Sequence, residues 1–382
     1  MKRRLLILQD TLAGGGAERA LIEILSRIDY TRLEVDLLLY ARRGELLPLV
    51  PREVRVMSLY PRGTKSPVEK VIYHTPLREA YERKKLLALA GGRRWDVVLS
   101  FMEGPGAKMH SNLSGYGLKN VTWVHTNMAV NKWSLQFFRD EAHERAFYES
   151  VDEVVHVSED IEAVFPYRCA GVRSRVIPNV IDVRKNVELA GMRRRRTSGD
   201  RFRLCYVGRF EALKRPERFV ETVGLLKARG RDVEGVMLGE GSLRKKVEEQ
   251  VSSLGLERDV ELIGFVKNPY PYIGGSDVLV VPSDTEGLSI VTLEALSIGV
   301  PVVSTNCTGP AGILKQGGGL LADMTAESLA DRVERIMDDG DLRVRLEAEG
   351  PRVAEQYSPE RVMNLFYDLV ENGPERESGS NT

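Results

Sequence analysis

Short runs of apolar, mostly branched residues recur along the chain, separated by stretches whose apolar positions return every three or four residues. The first pattern predicts buried strands and the second predicts helices with one buried stripe. Strands are expected in the first half at Arg4–Leu8, Leu33–Tyr40, Val54–Leu59, Asp96–Phe101, Asn120–His125 and Glu153–Val157. A second series follows at Phe202–Val207, Glu234–Leu238, Val260–Ile263, Asp277–Val281 and Val300–Ser304. After the first strand, Ala17, Ala20, Leu21, Ile24, Leu25 and Ile28 mark one face of a helix. Three further helical patterns, Ala326–Met337, Leu342–Glu355 and Pro359–Leu369, come late in the chain. Such alternation predicts an α/β protein with two parallel sheets joined by right-handed crossovers.

At 382 residues the chain has material for two full cores. The expected boundary is the polar stretch Ile181–Arg201, whose Arg193–Arg196 run reads as a solvated linker. The expected domains are therefore 1–181 and 201–357, with a disordered polar tail over 372–382. Lys+Arg and Asp+Glu balance at 55 each, which argues against a nucleic-acid partner. Three cysteines, Cys169, Cys205 and Cys307, form no Cys-x-x-Cys pair and suit a reducing compartment. The apolar run Leu5–Leu8 is too short for a signal peptide or a membrane span, so a cytoplasmic protein is expected. A basic segment, Leu77–Trp95, interleaves six cations with leucines, Tyr81 and Trp95, a composition suited to the surface of an anionic bilayer.

Candidate chemistry concentrates in the second half. The 27 residues from Leu288 to Leu314 carry one charge, Glu294, in a chain that is 29% charged. Ser289 is placed to cap a short helix that Gly299 and Pro301 end. A carboxylate on so apolar a helix needs a hydrogen-bond donor, either a distant Arg or Lys or a ligand hydroxyl. Glu286 lies in the loop after a strand's carboxyl end, where open α/β sheets bind ligands. Arg209 and Lys214 follow Gly208 at the end of another strand, and Pro216 is suited to open the next helix. Cations beside a helix N-terminus make a diphosphate site, and by neutralising a departing diphosphate they would lower the barrier. The loop Ala13–Arg19, with Gly14, Gly15 and Gly16, allows backbone N–H groups to approach a ligand. It lacks the G-x-G-x-x-G spacing of a dinucleotide site. His125 ends a strand at its carboxyl edge, and Gly239 to Gly241 form a strand–helix turn. The scattered histidines and cysteines suggest no metal site, and Asp339-Gly-Asp341 reads as a solvated turn.

Glu286 and Glu294, with Gly-Leu after the first and Ala-Leu after the second, resemble the signature of the family 4 retaining glycosyltransferases of GT-B fold. The Gly-Gly-Ala-Glu-Arg opening, His125, the Gly208-Arg209…Lys214 segment and the Gly239–Gly241 turn follow that family's order. The resemblance implies two Rossmann-like domains facing a central cleft, with the last helix (358–371) crossing back onto the first. It implies that Glu286, Gly287 and the backbone N–H groups of Leu288 and Ser289 hold the donor sugar, and that Glu294 holds the ribose. Arg209 and Lys214 would hold the diphosphate, and Gly239 and Glu240 would lie near the nucleotide. His125 would stand near the reacting carbon, while Gly15 and Gly16 would face the phosphates and acceptor. The implied reaction moves a hexose or N-acetylhexosamine from a UDP-linked donor to a saccharide acceptor, lipid-linked, without metal or other cofactor. Ser289 departs from the family's common proline, and Gly312 replaces an acidic residue often found before the isoleucine, here Ile313. Both weaken any assignment of the sugar. Two rival readings are a nucleotide-sugar epimerase and an inactive partner protein of the same fold.

Overall fold

The computed structural model describes residues 2–75, 77–113, 115–191 and 201–372. The Arg193–Arg196 run and the 373–382 part of the tail lie outside the described residues. The chain folds as two compact units, 1–180 with 360 onward, and 181–359.

The first unit holds a seven-stranded sheet of β1 (Arg3–Gln9), β2 (Leu33–Ala41), β3 (Arg55–Tyr60), β4 (Trp95–Ser100), β5 (Gly117–Val124), β6 (Glu153–His156) and β7 (Arg173–Val176). Its order is β3-β2-β1-β4-β5-β6-β7, and every pairing is parallel. The second unit holds six parallel strands, β8 (Phe202–Val207), β9 (Val233–Leu238), β10 (Val260–Gly264), β11 (Val278–Val281), β12 (Val302–Thr305) and β13 (Gly319–Ala322). They are ordered β10-β9-β8-β11-β12-β13. In each sheet the order reverses once, between β1 and β4 and between β8 and β11. A crevice opens at the carboxyl ends of the strands at such a reversal.

The apolar runs are buried on both faces, as parallel sheets require. Leu6, Leu8, Leu38, Leu59, Trp95 and Val98 share one core with Met109. In the second unit Phe202, Leu204, Met237, Val278 and Val303 pack against Phe219 and Val223 of the helix Pro216–Ala228 and Val333 of the helix Ala326–Asp338. The edge strands β7 and β13 carry too little alternation or apolar length to be read from sequence.

Three expectations change. Residues 181–191, read as linker, contribute the helix Val183–Ala190, capped by the Asp182 side chain and tied through buried Asn186 to Ser297. Asp339 is not part of a plain turn: its carboxylate accepts from the Leu342 N–H and caps the helix Gly340–Glu355. Trp95 is no surface anchor. It opens β4 fully buried, its indole N–H donating to Asp36 at 2.8 Å. In the helix Arg78–Ala90 that precedes it, Leu86 faces the core and Lys85 pairs with Glu69, leaving Arg83 and Lys84 exposed.

The helix Pro359–Glu371 packs on the first unit through Val362, Met363, Phe366, Leu369 and Val370. Buried Lys119 donates to the Leu369 carbonyl at 2.8 Å and pairs with buried Glu153 at 2.9 Å. Arg175 joins Glu153 to Asp368. The chain's last helix is thus fastened by a buried ionic network whose partners satisfy one another.

Candidate active site

Two loops at the β8–β11 reversal bring the expected cations and one carboxylate together. After β8 the backbone turns at Gly208 and passes Arg209 to the 3₁₀ turn Ala212–Lys214. Arg215 then adopts a left-handed conformation, φ 47°, the one such non-glycine among the described residues. That strained turn is held by Arg215 and Arg218, which both donate to Asp284 in the loop after β11, at 2.5 and 2.9 Å. The Asp284 N–H in turn donates to the Leu213 carbonyl at 2.9 Å, which locks the two loops together. Beside it the Lys214 ammonium pairs with the Glu286 carboxylate, whose other oxygen accepts from Ser283 Oγ at 2.7 Å. Thr308, after β12, donates to the Glu286 carbonyl at 3.0 Å and so fixes the backbone from which that carboxylate projects. The Arg209 guanidinium is exposed and forms no hydrogen bond or ion pair among the described residues.

The next residues open the helix Ile290–Ser297. Ser289 occupies the cap position but its side chain makes no capping bond, accepting instead from Thr292 Oγ1 at 2.9 Å. Among the described residues the N–H groups of Leu288 and Ser289 have no partner, so two donors remain at this helix start. Glu294, on the same helix, accepts from the Tyr270 hydroxyl at 2.9 Å. A tyrosine is thus one donor to it, where the sequence pointed to a distant cation or a ligand. Nearby, burial pushes the Cys307 thiol up to about 12, which makes it an inert core group.

The Gly239–Gly241 turn lies against the β8 loop. A Cβ on Gly239 would stand 1.9 Å from the Gly208 carbonyl oxygen, and one on Gly241 2.4 Å from that of Phe210. Close backbone approach, sealed by Phe210 N–H to Glu240 O at 2.9 Å, explains both glycines. The Glu240 side chain is exposed and pairs with Arg244 at 3.2 Å.

In the first unit, the glycine loop is organised by its own Glu18. One carboxylate oxygen accepts from Thr11 Oγ1 at 2.8 Å and the Ala13 N–H at 3.1 Å. The other accepts from the N–H groups of Gly14 and Gly15 at 2.8 and 2.5 Å. The donors that the sequence aimed at a ligand are here turned onto an internal anion, while exposed Gly16 begins the helix Gly16–Leu25.

His125 follows β5, buried against the rings of Phe101 and Trp123 at 4.9 and 5.9 Å. Burial holds its imidazole down to about 3, so it is neutral at physiological pH, and Nε2 has no partner among the described residues. Its backbone N–H donates to Glu103 Oε2 at 2.9 Å. Sequence reasoning missed Glu103, which is fully buried after β4 and whose carboxyl is raised by burial against the pull of that N–H. The signal for it is a carboxylate at a strand's end just before Gly104-Pro105. A Cβ on Gly104 would strike the Trp133 ring at 2.5 Å. Tyr270, Ser283 and Asp284 carry no sequence signal, because the partners that give them a role are met only in the fold.

The profile described as "Glycosyl transferases group 1" matches residues 192–353, and "Glycosyltransferase Family 4" matches residues 14–185. The chain is 33% identical to the alpha-D-kanosaminyltransferase of Streptomyces kanamyceticus over 44% of its own length and 45% of that protein. It is 34% identical to the lipopolysaccharide core biosynthesis glycosyltransferase LpsE of Rhizobium meliloti, over 41% and 48%. The chain thus spans about half the length of these relatives. Its fold matches the Anabaena protein HepE, crystallised with UDP and glucose, at a TM-score of 0.77 and 17% identity over 97% of this chain and 100% of that one. With a family profile on each half and two parallel Rossmann-like sheets, the chain belongs to the family 4 glycosyltransferases of GT-B fold.

Proposed function

We propose that this protein transfers a hexose or N-acetylhexosamine from a nucleoside-diphosphate sugar to a saccharide acceptor, with retention at the anomeric carbon. The observation that carries the reading is the Lys214–Glu286 pair at the β8–β11 reversal, with exposed Arg209 in the same loop as Lys214 and the two N–H groups of Leu288 and Ser289 following Glu286. Glu294 takes the ribose hydroxyls, and Arg209 and Lys214 meet the diphosphate. Glu286 and the two N–H groups orient the sugar.

In the reaction, the acceptor oxygen bonds to the anomeric carbon as that carbon's bond to the diphosphate breaks. The acceptor's proton passes to the departing phosphate oxygen, and Arg209 and Lys214 neutralise the negative charge left there. Fixed cations supply what a metal would supply elsewhere, so activity should survive excess EDTA. The neutral His125 imidazole contributes a hydrogen-bonding edge toward the sugar rather than a charge. HepE, seen with UDP and glucose, supports UDP as the nucleotide.

The name of LpsE supports a role in building cell-surface polysaccharide on a lipid-linked acceptor. Val68, Val71 and Leu77 of the first unit are each about two-thirds exposed and, with Arg83 and Lys84, suit a surface that rests on an anionic bilayer. No helix among the described residues is long and apolar enough to cross a membrane. Val68→Glu with Val71→Glu should abolish flotation with anionic liposomes at low salt, and binding that persists would discard the membrane role. Titration calorimetry with UDP, GDP and ADP, followed by product analysis with the matching sugar nucleotides, tests the reading as a whole. Binding of none of the three would overturn it, and epimerised donor without transfer would favour the epimerase.

A further inference from the structure

The first unit contains a cavity of about 470 Å³ that none of the motifs above accounts for. It opens beyond the carboxyl ends of β1, β2 and β3, where Asp10, Tyr40 and Tyr60 stand. Its far wall is the segment from Gly63 to His74, which includes the helix Pro67–Tyr73, and Pro105 and Phe137 complete it.

Two features separate it from an incidental gap. Three tyrosine rings line it, and the Lys65 ammonium stands over all three, 3.8 Å from the centroid of Tyr73, 4.9 Å from Tyr60 and 5.2 Å from Tyr40. The Tyr40 and Tyr60 hydroxyls both donate to buried Glu82 at 3.0 Å, which fixes those rings in place. The second feature is charge that meets its neighbours only through space, Asp10 feeling Arg43 and Lys65, and Lys65 feeling Glu82 and Asp10. Asp10, Arg43, Lys65 and Lys70 all line the cavity, and none forms a side-chain hydrogen bond or ion pair among the described residues. Elsewhere the unit pairs its cations closely, as at Arg93–Asp36, Lys85–Glu69, Lys108–Glu79 and Lys119–Glu153. Partial burial holds the Lys65 ammonium below its usual range and the Asp10 carboxyl above its own. Lys65 and Asp10 therefore sit partly desolvated without a hydrogen-bonded partner, while Arg43 and Lys70 reach solvent.

A ligand that suits such a wall has hydroxyls for Asp10 and an anion for Lys65, Arg43 and Lys70. We infer that this cavity is the acceptor subsite and that it takes a sugar bearing an acid group, a carboxylate or a phosphate. The inference rests on the transferase reading and names the class of its acceptor. Three cations against one carboxylate make the lining net positive, which favours an anionic sugar over a neutral one.

The test uses the full chain with saturating UDP, which occupies the Arg209–Lys214 site. Saturation-transfer NMR then titrates methyl glucoside, methyl glucuronide and glucose 6-phosphate. At least one anionic sugar should bind tenfold or more tightly than the neutral glycoside, and whichever does so identifies carboxylate or phosphate as the acid. In Lys65→Met combined with Arg43→Gln, the preference should fall below twofold. Lys65→Met keeps the apolar stem against the tyrosines, and Arg43 is exposed, so the fold has little reason to change. Equal binding of all three sugars, or a preference that survives the double substitution, would overturn the acceptor assignment. UDP binding in the same samples separates the two claims. UDP bound without anion preference sinks the cavity alone, whereas a chain that binds none of UDP, GDP and ADP sinks the transferase reading and the cavity with it.

Discussion

Glu286 and Lys214 illustrate how much one ion pair decides. The Glu286 side chain is 10% exposed and that of Lys214 27%, so removal of one leaves the other's charge poorly solvated. Lys214→Met should reduce turnover more than it raises the Michaelis constant for donor, because charge on the diphosphate grows toward the transition state. It should also lower stability, and adding Glu286→Gln should restore part of that loss while leaving activity low. A thermal-unfolding cycle of the two single variants and the double measures the coupling. Strict additivity would show that the pair carries no structural weight. Glu294→Gln should weaken nucleoside diphosphate binding by about 1–3 kcal/mol, roughly 5- to 150-fold. Unchanged affinity in calorimetry would remove the ribose role. Both glutamates were legible because each adjoins or interrupts an uncharged sequence. Tyr270 and Asp284 were not, since nothing along the chain says that Tyr270 meets Glu294 or that Asp284 meets Arg215 and Arg218. His156 governs a response to pH. It is buried in β6 against the Phe165 ring, and burial brings its imidazole down to about 4 from an ordinary 6.5. The folded state therefore keeps it neutral while the unfolded chain takes up a proton below pH 6.5. Its contribution to stability is complete above that value and is lost as pH falls toward 4, at about 1.4 kcal/mol per pH unit and about 3 kcal/mol in all. His156→Gln should remove that share of the acid sensitivity. All three tryptophans, Trp95, Trp123 and Trp133, lie in the first unit, so their fluorescence follows its unfolding in urea at about pH 6.5 and about pH 4.5, either side of most of that loss. An identical loss in the variant would show that other groups set the acid limit.

At the scale of elements, strands buried on both faces were the most legible, because their apolar runs leave few alternatives. β7 escaped notice because Arg173-Ser-Arg-Val176 is short, charged and at the sheet's edge, and β13 because it opens on the last of three glycines. The helix Val183–Ala190 was hidden in a polar stretch whose apolar side is a few residues wide. Loops were harder still. Of the loop expected over Ala13–Arg19, Gly16–Arg19 already belong to the helix, and the destination of the loop's N–H groups depends on where Glu18 folds. The Gly239 turn gives the firmest test of an element. Gly239→Ala should destabilise the second unit by about 3 kcal/mol or more, because backbone rather than a movable side chain stands in the way. Calorimetry with and without UDP measures it, and a loss under about 1 kcal/mol would mean that the β8 and β9 loops can part.

At the scale of the whole molecule, two parallel sheets follow from strand–helix alternation. The return of the last helix to the first unit is implied by the family resemblance and not by that alternation. Its apolar stripe at Val362, Phe366 and Leu369 could be read along the chain, but its place depends on Lys119 and Arg175, which lie 250 and 193 residues before Leu369 and Asp368 and are held by Glu153. That arrangement has a consequence for synthesis. A ribosome makes the chain from its first residue, and domains usually fold as soon as they emerge. Here the first sheet is complete early, while Lys119 and Glu153 wait without the carbonyl and helix that later cover them. The second unit has all of its own segments as soon as residue 359 is free, so it reaches its finished state before the first. Nascent chains halted at residue 355 should therefore leave the first unit open to brief proteolysis, and chains released after residue 372 should not. Protection of the first unit in the halted chains would show that its sheet closes without its last helix.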